Sequence, residues 1–358
     1  MRPVDVAVVG MPGTALDAAL DAVYAEGLAC CVAQNASLNN RIDAEAVCIS
    51  LSLRDRMAAA VTALHQGLHV FIEGAPTTMI QHLRRLIALE EETERFVVAD
   101  LSDAARPEAV MLKHRLCEGA LGTIRAVHAH GRMALGGQSF SGEGVLPELG
   151  LELMNMAAYL AGDDPYEFAI PLSVQGECYR IADSGPEDTA CLRAKTVTGI
   201  ELCIHATYAA EQQHPRQWRI VGDKGIASLT DGEGANLPGA HLPPTDPDAL
   251  STLLLRRFIE VIQGSDEPLL MPLAELEGAI LLLNGAQESA QQTVSIPESG
   301  LCESASTRTK FINHIDTVLV DAAITGRMLS QCELPWTRAT KPFDMTGYEA
   351  FPQQYEAK

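Results

Sequence analysis

The chain has 358 residues, enough for two or three domains, with 47% hydrophobic residues, 20% charged residues and a formal net charge of −21. This composition excludes a disordered chain, and the negative charge argues against nucleic acids and anionic membranes as partners, since their phosphates would be repelled. Nine cysteines without a CxxC pair, and the lack of an apolar run of membrane-spanning length, predict a cytoplasmic protein with reduced thiols.

The first hundred or so residues alternate strand-like apolar runs with helical patterns. The strand-like runs are VDVAVVG (4–10), LACCVAQ (28–34), AEAVCISLSL (44–53), LHVFIE (68–73) and RFVVAD (95–100). Continuous apolar runs joined by short helical segments are typical of a buried parallel sheet. Residues 1–105 are therefore predicted to form an α/β domain with a doubly wound parallel sheet.

A different pattern begins after this region. Helical patterns at 107–122, 147–162, 248–263 and 272–290 flank a series of alternating, turn-separated strand runs between 124 and 230. Turn signals close together in sequence favour antiparallel pairing. Residues 106–297 are predicted to form an α+β domain with a mostly antiparallel sheet.

The last segment, 298–358, is predicted to be an extension of this domain. Residues 309–329 have the pattern of one long amphipathic helix. Five aromatic residues follow it: Trp336, Phe343, Tyr348, Phe351 and Tyr355. A free tail would not need them, so we expect the tail to pack on the body of the protein or on a neighbour.

Three stretches together resemble one protein family. They are GEGVLPELGLELMN (142–155), RIVGDKGIASL (219–229) and LLLNGAQESAQQTVSIP (281–297). In order and spacing the chain resembles the Gfo/Idh/MocA oxidoreductases over about residues 4–297. The resemblance implies a Rossmann-like dinucleotide-binding domain and a substrate domain whose open sheet makes oligomer contacts. A homo-oligomer (a dimer) through this sheet and the C-terminal extension is the expected assembly.

The nucleotide-binding residues of the family are only partly present. The first turn reads GMPGTA (10–15), which leaves Gly10, Gly13 and Thr14 as the candidates for cofactor binding. The second strand ends in the neutral AQN (33–35), where the family carries an acidic residue for the ribose. The connection to the next strand is too short for the family's usual helix, strand and helix, so the Rossmann-like domain is truncated. We therefore expect no cofactor, although NAD(P) stays possible.

The catalytic residues of the family are also replaced. Glu73 matches the start of the family's Glu-Lys-Pro motif, but Gly74 stands at the lysine. In the family's helix motif Glu148 replaces an aspartate, Glu152 the histidine and Asn155 the last aspartate. The resemblance thus implies that hydride transfer has been lost.

Two groups of side chains could supply acid–base chemistry instead. Glu148 and Glu152 are four residues apart on one predicted helix face, where mutual repulsion can raise the pKa of one carboxyl. His128, His130 and Arg132 alternate along one predicted strand and share a face. The competing interpretations are capping or solvated carboxylates, oligomer-facing or capped histidines, and a metal site shared by the histidines and carboxylates.

Further binding candidates come from single positions. Arg106 could clamp an anionic substrate group, or could form an ion pair at the start of a helix. Glu73, Arg132, His205 and Tyr208 are candidates for binding substrate. No residue is assigned to a metal.

The sequence therefore predicts a redox-neutral acid–base enzyme without a cofactor, acting on a small polar metabolite by cyclisation, elimination, isomerisation or decarboxylation. Its proposed catalytic residues are Glu148, Glu152, His128, His130 and Arg106. The alternatives are a divergent NAD(P)H-dependent oxidoreductase and a non-catalytic binding protein or partner subunit.

Overall fold

The computed structural model describes residues 2–138, 142–182, 184–246, 248–305 and 308–355, without the side chains of Thr14, Ser102 and Asp248. The helices are α1 (Thr14–Ala25), α2 (Leu53–His65), α3 (Ile80–Thr93), α4 (Pro107–Cys117), α5 (Leu151–Ala161), α6 (Asp248–Ile262), α7 (Glu277–Ala290) and α8 (Ile315–Thr325). The strands are β1 (Val4–Gly10), β2 (Ala29–Ala33), β3 (Ala46–Ser50), β4 (His69–Ile72), β5 (Val97–Ala99), β6 (Ile124–Ala134), β7 (Pro171–Arg180), β8 (Thr189–Thr196), β9 (Glu201–Thr207), β10 (Ala209–Gly222), β11 (Gly225–Thr230), β12 (Gly234–Leu237), β13 (Ala240–Leu242), β14 (Val294–Ser295), β15 (Leu301–Glu303), β16 (Lys310–Ile312) and β17 (Phe343–Asp344).

The chain divides into two compact units. The first unit consists of Met1–Pro107 and Thr245–Glu277, and the second of Glu108–Pro244 and Gly278–Lys358. The sequence had assigned 245–277 to the second domain, whereas the structure groups this segment with the first. Its helix α6 explains the difference, because Phe258 packs edge-on against Phe71, with ring centroids 5.7 Å apart, in the core of the parallel sheet.

The first unit is built on a parallel sheet of five strands in the order β2-β1-β3-β4-β5. Its central strands are almost completely buried, as their continuous apolar sequences predict. Residues 34–45, between β2 and β3, contain no helix or strand. The prediction of a truncated Rossmann-like sheet is confirmed.

The second unit is built on a ten-stranded mixed sheet. Nine strands run in the order β13-β12-β11-β10-β6-β9-β8-β7-β14, and β17 pairs with β7. Most neighbours are antiparallel, whereas β6 pairs with β9, and β14 with β7, in parallel. This confirms the predicted α+β fold.

The two faces of this sheet are covered by different parts of the chain. Trp218 donates a hydrogen bond from its indole nitrogen to Leu153 O in α5, at 3.1 Å. Its neighbour Arg219 donates to Ile324 O in α8, at 3.3 Å. Because successive residues of a strand point to opposite faces, α5 lies on one face and α8 on the other.

The extension forms a second apolar core with the sheet. Tyr179 of β7 packs edge-on against Trp336, with ring centroids 5.0 Å apart. Ile315, Leu319 and Met328 are buried in the same cluster. The aromatic tail thus packs on its own domain. The predicted oligomer contact stays a prediction, and it would need surface other than the strands that the extension covers.

The predicted helix over 309–329 is wrong in extent. Residues 310–312 form β16, and α8 begins only after His314, whose φ of 59° is left-handed. Gly326, with a φ of 67°, ends α8 in the same conformation. Two left-handed positions therefore confine the helix to Ile315–Thr325.

Within the described ranges, no helix combines the length and apolar character that crossing a membrane requires. The cytoplasmic location stays a prediction. All nine cysteines are free thiols.

Candidate functional site

A cavity of about 670 Å³ opens in the second unit beside the start of α5. Its wall includes Glu148, Glu152, Tyr208, Arg216 and Asp231. Titratable groups that converge on one concave site are the usual mark of a binding or catalytic site. We describe this cavity as the candidate site.

A π-helical turn, Leu146–Gly150, brings the two glutamates to the cavity wall. Gly150 donates its backbone N–H to Val145 O, at 2.7 Å, which closes the wider turn. Glu148 lies in this turn and Glu152 in the first turn of α5. The two carboxylates therefore line one cavity. The chain between them includes a π-helical turn in place of regular α-helix, and such turns are frequent at functional sites.

Tyr208 is the direct partner of Glu148. Its phenol donates a hydrogen bond to Glu148 Oε2 at 2.6 Å and accepts one from Leu149 N at 3.4 Å. The Tyr208 side chain is buried, and burial, followed by the hydrogen bond to Glu148, raises its pKa well above the ordinary value. Tyr208 therefore stays a protonated phenol that holds the Glu148 carboxylate in place.

Glu187 supports the turn that carries Glu148. Its Oε1 accepts the backbone N–H of Leu146 at 3.1 Å. Burial raises the pKa of Glu187 to about 7, against the opposing effect of its backbone hydrogen bonds, and the neighbouring charges of Asp188 and Glu148 raise it further. The sequence analysis missed this residue, and its only signal is an acidic pair, Glu187-Asp188, directly before a strand.

Arg216 connects two carboxylates on the same wall. Its Nη1 donates to Glu152 Oε2 at 2.5 Å and its Nε to Asp231 Oδ2 at 2.6 Å. The guanidinium carbon also lies 5.6 Å from the ring centroid of Trp218. Glu152 is thus held in an ion pair. Arg216 is not among the site residues predicted from the sequence.

The predicted histidines lie elsewhere, on the face of the sheet under the extension. His130 and His205 are paired across β6 and β9, and His128 precedes them by one row. His205 Nε2 lies 2.9 Å from Arg327 O, and His128 lies next to the backbone of Ala323 and Ile324 at the end of α8. These rings are buried beneath the chain's own extension and are not part of the cavity wall.

Burial fixes the protonation of these histidines. It lowers the pKa of His130 to about 4 and that of His205 to about 3, and lowers that of His128 in the same direction. These imidazoles are therefore neutral at neutral pH. Across the part of the chain that the structure describes, no group of three or more His, Cys, Asp or Glu side chains could hold a metal ion.

Arg132 lies at the edge of the cavity, on β6, the strand that also carries His128 and His130. It donates from Nη1 to Asp316 O at 2.9 Å, and the same nitrogen lies 3.5 Å from Asp316 Oδ1. Arg132 therefore joins the cavity wall to the start of α8, and its charge is compensated by Asp316.

Residues 110–228, which carry most of the cavity wall, match the family model of the GFO/IDH/MocA C-terminal domain. This part of the chain resembles a Gfo/Idh/MocA C-terminal domain. The resemblance found in the sequence is thereby confirmed. No curated protein sequence matches the chain.

Solved structures share the fold of this chain. WlbA dehydrogenase from Bordetella pertussis, in complex with NADH and UDP-GlcNAcA, is 16% identical with a TM-score of 0.67, over 81% of this chain and 97% of that chain. GenD2 from gentamicin A biosynthesis, in complex with NAD, is 16% identical with a TM-score of 0.65, over 81% and 95%. An oxidoreductase from Pseudomonas syringae is 14% identical with a TM-score of 0.66, over 80% and 97%. At these identities the likeness establishes the fold.

The remaining predicted site residues lie in the first unit, outside the Gfo/Idh/MocA C-terminal domain. Arg106 is buried and forms an ion pair with Asp103, at 2.6 Å, which is the structural alternative considered for it. Glu73 lies at the end of β4 and contacts the turn after β1. The Thr14 side chain lies outside what the structure describes.

The turn after β1 is hydrogen-bonded to a carboxylate of the same unit. Gly13, the N-cap of α1, donates its N–H to both carboxylate oxygens of Glu73, at 3.2 and 3.1 Å. A pyrophosphate at this helix N-terminus would meet that carboxylate. Gly10 is explained by packing alone, because a Cβ atom there would lie 1.9 Å from Ser50 O and its φ is +86°.

Proposed function

We propose that this chain is an acid–base enzyme that works without a nicotinamide cofactor on a small polar metabolite. The reaction class is redox-neutral: isomerisation, elimination or cyclisation. The observation that carries the proposal is the hydrogen bond of 2.6 Å from Tyr208 to Glu148 on the wall of the 670 Å³ cavity.

Glu148 is the proposed base. Its carboxylate takes a proton from a carbon or hydroxyl group of the substrate and returns it at another atom in an isomerisation, or to the leaving group in an elimination. Tyr208 orients this carboxylate without giving up its own proton, since its pKa is raised by burial. Proton and electron pair then balance within the substrate, so no external oxidant or reductant is needed.

The charge of the wall indicates the kind of substrate. The cavity carries three carboxylates, Glu148, Glu152 and Asp231, against the guanidinium groups of Arg132 and Arg216. Both guanidinium groups are already ion-paired. An anionic substrate would therefore be repelled, whereas a neutral polyhydroxy compound or a cationic amine would be accepted.

The proposal revises the roles predicted from the sequence. Glu152 becomes a positioning residue that holds Arg216, because its carboxylate is engaged at 2.5 Å. His128 and His130 have no part in it, since they lie under the extension. Arg106 has none either, since Asp103 engages it.

Deuterium exchange tests the proposal without knowledge of the natural substrate. The purified protein is incubated in D₂O with polyhydroxy ketones and amino sugars, and deuterium uptake at carbon is followed by NMR. We expect uptake with at least one compound, without added cofactor, and its loss in Glu148→Gln. Uptake that is unchanged in Glu148→Gln would contradict the assignment of the base.

An NAD(P)-dependent oxidoreductase is the second candidate. It is favoured by the fold, which two NAD- or NADH-bound structures share with this chain. The same compounds are incubated with NAD⁺, NADH, NADP⁺ and NADPH, and absorbance at 340 nm is recorded. Cofactor turnover would establish this candidate in place of the first.

A further inference from the structure

The outer strand β2 of the first unit is exposed along most of its length. It is the last strand of the five-stranded parallel sheet, and among the described residues only β1 pairs with it. Cys30, Cys31 and Val32 are all exposed, Val32 with 44% of its surface. We call these three residues the β2 edge. An unpaired edge of this kind presents free N–H and C=O groups to which another strand can bind.

The backbone of Cys31 faces away from the sheet. Val4 N donates to Leu28 O at 3.0 Å, and β1 and β2 run parallel with Val6 opposite Cys31. In a parallel pair, successive residues of a strand alternate between bonding to the neighbouring strand and facing away from it. Leu28 and Cys30 therefore bond to β1, whereas the N–H and C=O groups of Cys31 point outwards. The register of the two strands shifts only beyond this position.

The connection from β2 to β3 does not cover this edge. Ala36 N donates to Val8 O of β1 at 2.8 Å, and Ile42 N donates to the side-chain oxygen of Gln66, at the end of α2, at 2.9 Å. The connection thus turns back over β1 towards α2. The outer side of β2 is left open.

The other outer strands of the two large sheets are protected. Val98 of β5 forms an isolated bridge with Pro272, so a segment of the same unit lies against that edge. Strand β13 has three residues between Pro238 and Pro243, and β14 has two residues shortly before Pro297. Cover, short strands and prolines all prevent unwanted pairing at an edge. Strand β2, with the sequence ACCVA, has five residues and neither a charge nor a proline.

The sequence of β2 fits a second copy of itself. Antiparallel pairing about a two-fold axis at Cys31 places Cys31 opposite Cys31 of the second copy, and Cys30 opposite Val32 of the second copy. The facing side chains are small and uncharged, so two chains of net charge −21 meet here without like charges across the axis. The Asp5 carboxylate of β1 accepts a hydrogen bond from Cys30 Sγ at 2.9 Å and is engaged within its own copy.

We propose that the β2 edge is the contact of a homodimer in which the parallel sheets of two copies join into one continuous sheet. Cys31 exchanges both of its backbone hydrogen bonds with Cys31 of the second copy. A two-fold contact is closed, so it uses up this edge in both chains. The surface differs from the one that the sequence resemblance implies, which is the sheet of the second unit. The inference is independent of the proposed acid–base chemistry.

Sedimentation velocity under reducing conditions tests the inference, from low-micromolar to near-millimolar protein. Because the contact is small, we expect a dimer that depends on concentration. Cys31→Lys places two ammonium groups opposite each other on the axis, and Cys31→Ser keeps the same position uncharged. Val197→Lys is the matched control, since Val197 is a 65% exposed apolar residue of the second unit. Circular dichroism melting establishes that each variant is folded.

We expect the dissociation constant of the dimer to rise at least tenfold in Cys31→Lys and to stay unchanged in Cys31→Ser and Val197→Lys. A monomer at every concentration would overturn the inference. So would a dimer that a folded Cys31→Lys leaves unchanged, because its contact would then lie on another surface.

A disulfide tests the same pairing if Cys31→Lys does not fold. In a Cys31→Ser background, Val32→Cys places a thiol opposite Cys30 of the second copy, at a pair whose Cα atoms are about 4.5 Å apart. That separation is compatible with a disulfide bond. Mild oxidation should give a disulfide-linked dimer on a non-reducing gel, and adding Cys30→Ser should abolish it. Failure to form the linked dimer, or its persistence with Cys30→Ser, would overturn the proposed contact.

Discussion

Tyr208 and Glu148 form a hydrogen bond of 2.6 Å between two separate elements, the end of β9 and the π-helical turn before α5. The same turn is tied to Glu187 through Leu146 N. The proposed base is therefore held both from the sheet and from a buried carboxyl group. Substitutions of Glu148 and Tyr208 can therefore test their roles in catalysis separately from effects on folding.

Glu148→Gln and Tyr208→Phe are predicted to differ in severity. Glu148→Gln removes the base and should lower deuterium exchange by about 10² to 10⁴-fold. Tyr208→Phe keeps the ring but loses one hydrogen bond to a carboxylate, so a loss of roughly 10- to 100-fold is expected. Tyr166→Phe, with a side chain 74% exposed, should have no effect. An equal loss in both site variants would contradict the separate roles.

Arg216 is predicted to stabilise the cavity wall through both of its carboxylate partners. Arg216→Ala should lower the free energy of unfolding by about 1–3 kcal/mol, because two part-buried hydrogen-bonded ion pairs and the Trp218 contact are lost. Arg216→Lys should retain only part of this stability, because a single ammonium group cannot reproduce the forked hydrogen bonds of a guanidinium group. Urea unfolding measures both. The exposed pair Arg115–Glu118 is the control, and Arg115→Ala should change stability by less than about 0.5 kcal/mol.

The buried histidines are predicted to stay neutral well below the ordinary imidazole pKa. Side-chain NMR should show His130 titrating near pH 4 and His205 near pH 3. The unfolded chain takes up these protons near pH 6.5, so the stability contributed by the neutral rings is complete above that pH. This contribution to the free energy of unfolding falls as the pH drops towards 4, by about 1.36 kcal/mol for each pH unit and each histidine.

Site-specific NMR is needed because acidic groups act in the opposite direction. Burial raises the pKa of Glu187 to about 7 and that of Asp188 to about 6. These folded-state protons stabilise the protein at acidic pH, and their contribution is lost as the pH rises through the folded pKa values. Titration of His130 or His205 near pH 6.5 would contradict the burial of these rings.

Gly74 and Gly67 offer a matched pair for the role of Arg56. Both have a φ of +79°, but a Cβ atom on Gly67 would meet nothing within 4 Å, whereas one on Gly74 would lie 2.7 Å from Arg56. Both alanine variants should carry the left-handed strain of about 1 kcal/mol. In Gly74→Ala the free energy of unfolding should fall by about 1–3 kcal/mol more, because Arg56 must leave its two carbonyl acceptors. If thermal unfolding gave equal losses of stability for the two variants, Arg56 would move away from the new Cβ atom without cost.

Glu288 is predicted to hold the end of the extension. This fully buried carboxylate accepts hydrogen bonds from Tyr348 Oη at 2.8 Å and from the backbone N–H groups of Gln353, Gln354 and Tyr355 at 2.5, 2.7 and 2.9 Å. Glu288→Gln removes the charge and places an amide donor among donors. Hydrogen exchange of 343–355 should speed up about tenfold or more, and Glu349→Gln, at an exposed position, should leave it unchanged.

The strands of the first unit were predictable because their signal is local. Runs such as VDVAVVG (4–10) are buried on both faces, so burial and sequence pattern agree residue by residue. The short connection from β2 to β3 could also be read directly, since residues 34–45 leave no room for further elements.

The candidate site was only half predictable because its pairings are long-range. Spacing placed Glu148 and Glu152 on one wall. Arg216, however, meets Asp231 through the pairing of β10 with β11 and reaches Glu152 of α5, and no local pattern encodes these contacts. The histidines show the converse. Alternation correctly gave them one face, but the segment that covers this face lies 122 residues beyond His205 and about 200 residues beyond His128.

The extension also sets an order for folding during synthesis. The strands β6 to β10 leave the ribosome well before residues 310–345, which cover one face of these strands and pair with β7. Until those residues emerge, Glu177 lacks the backbone N–H of Ser330, and Tyr179 lacks Trp336. A nascent chain that stops short of this segment would therefore present an incomplete sheet to the chaperones and proteases of the cell.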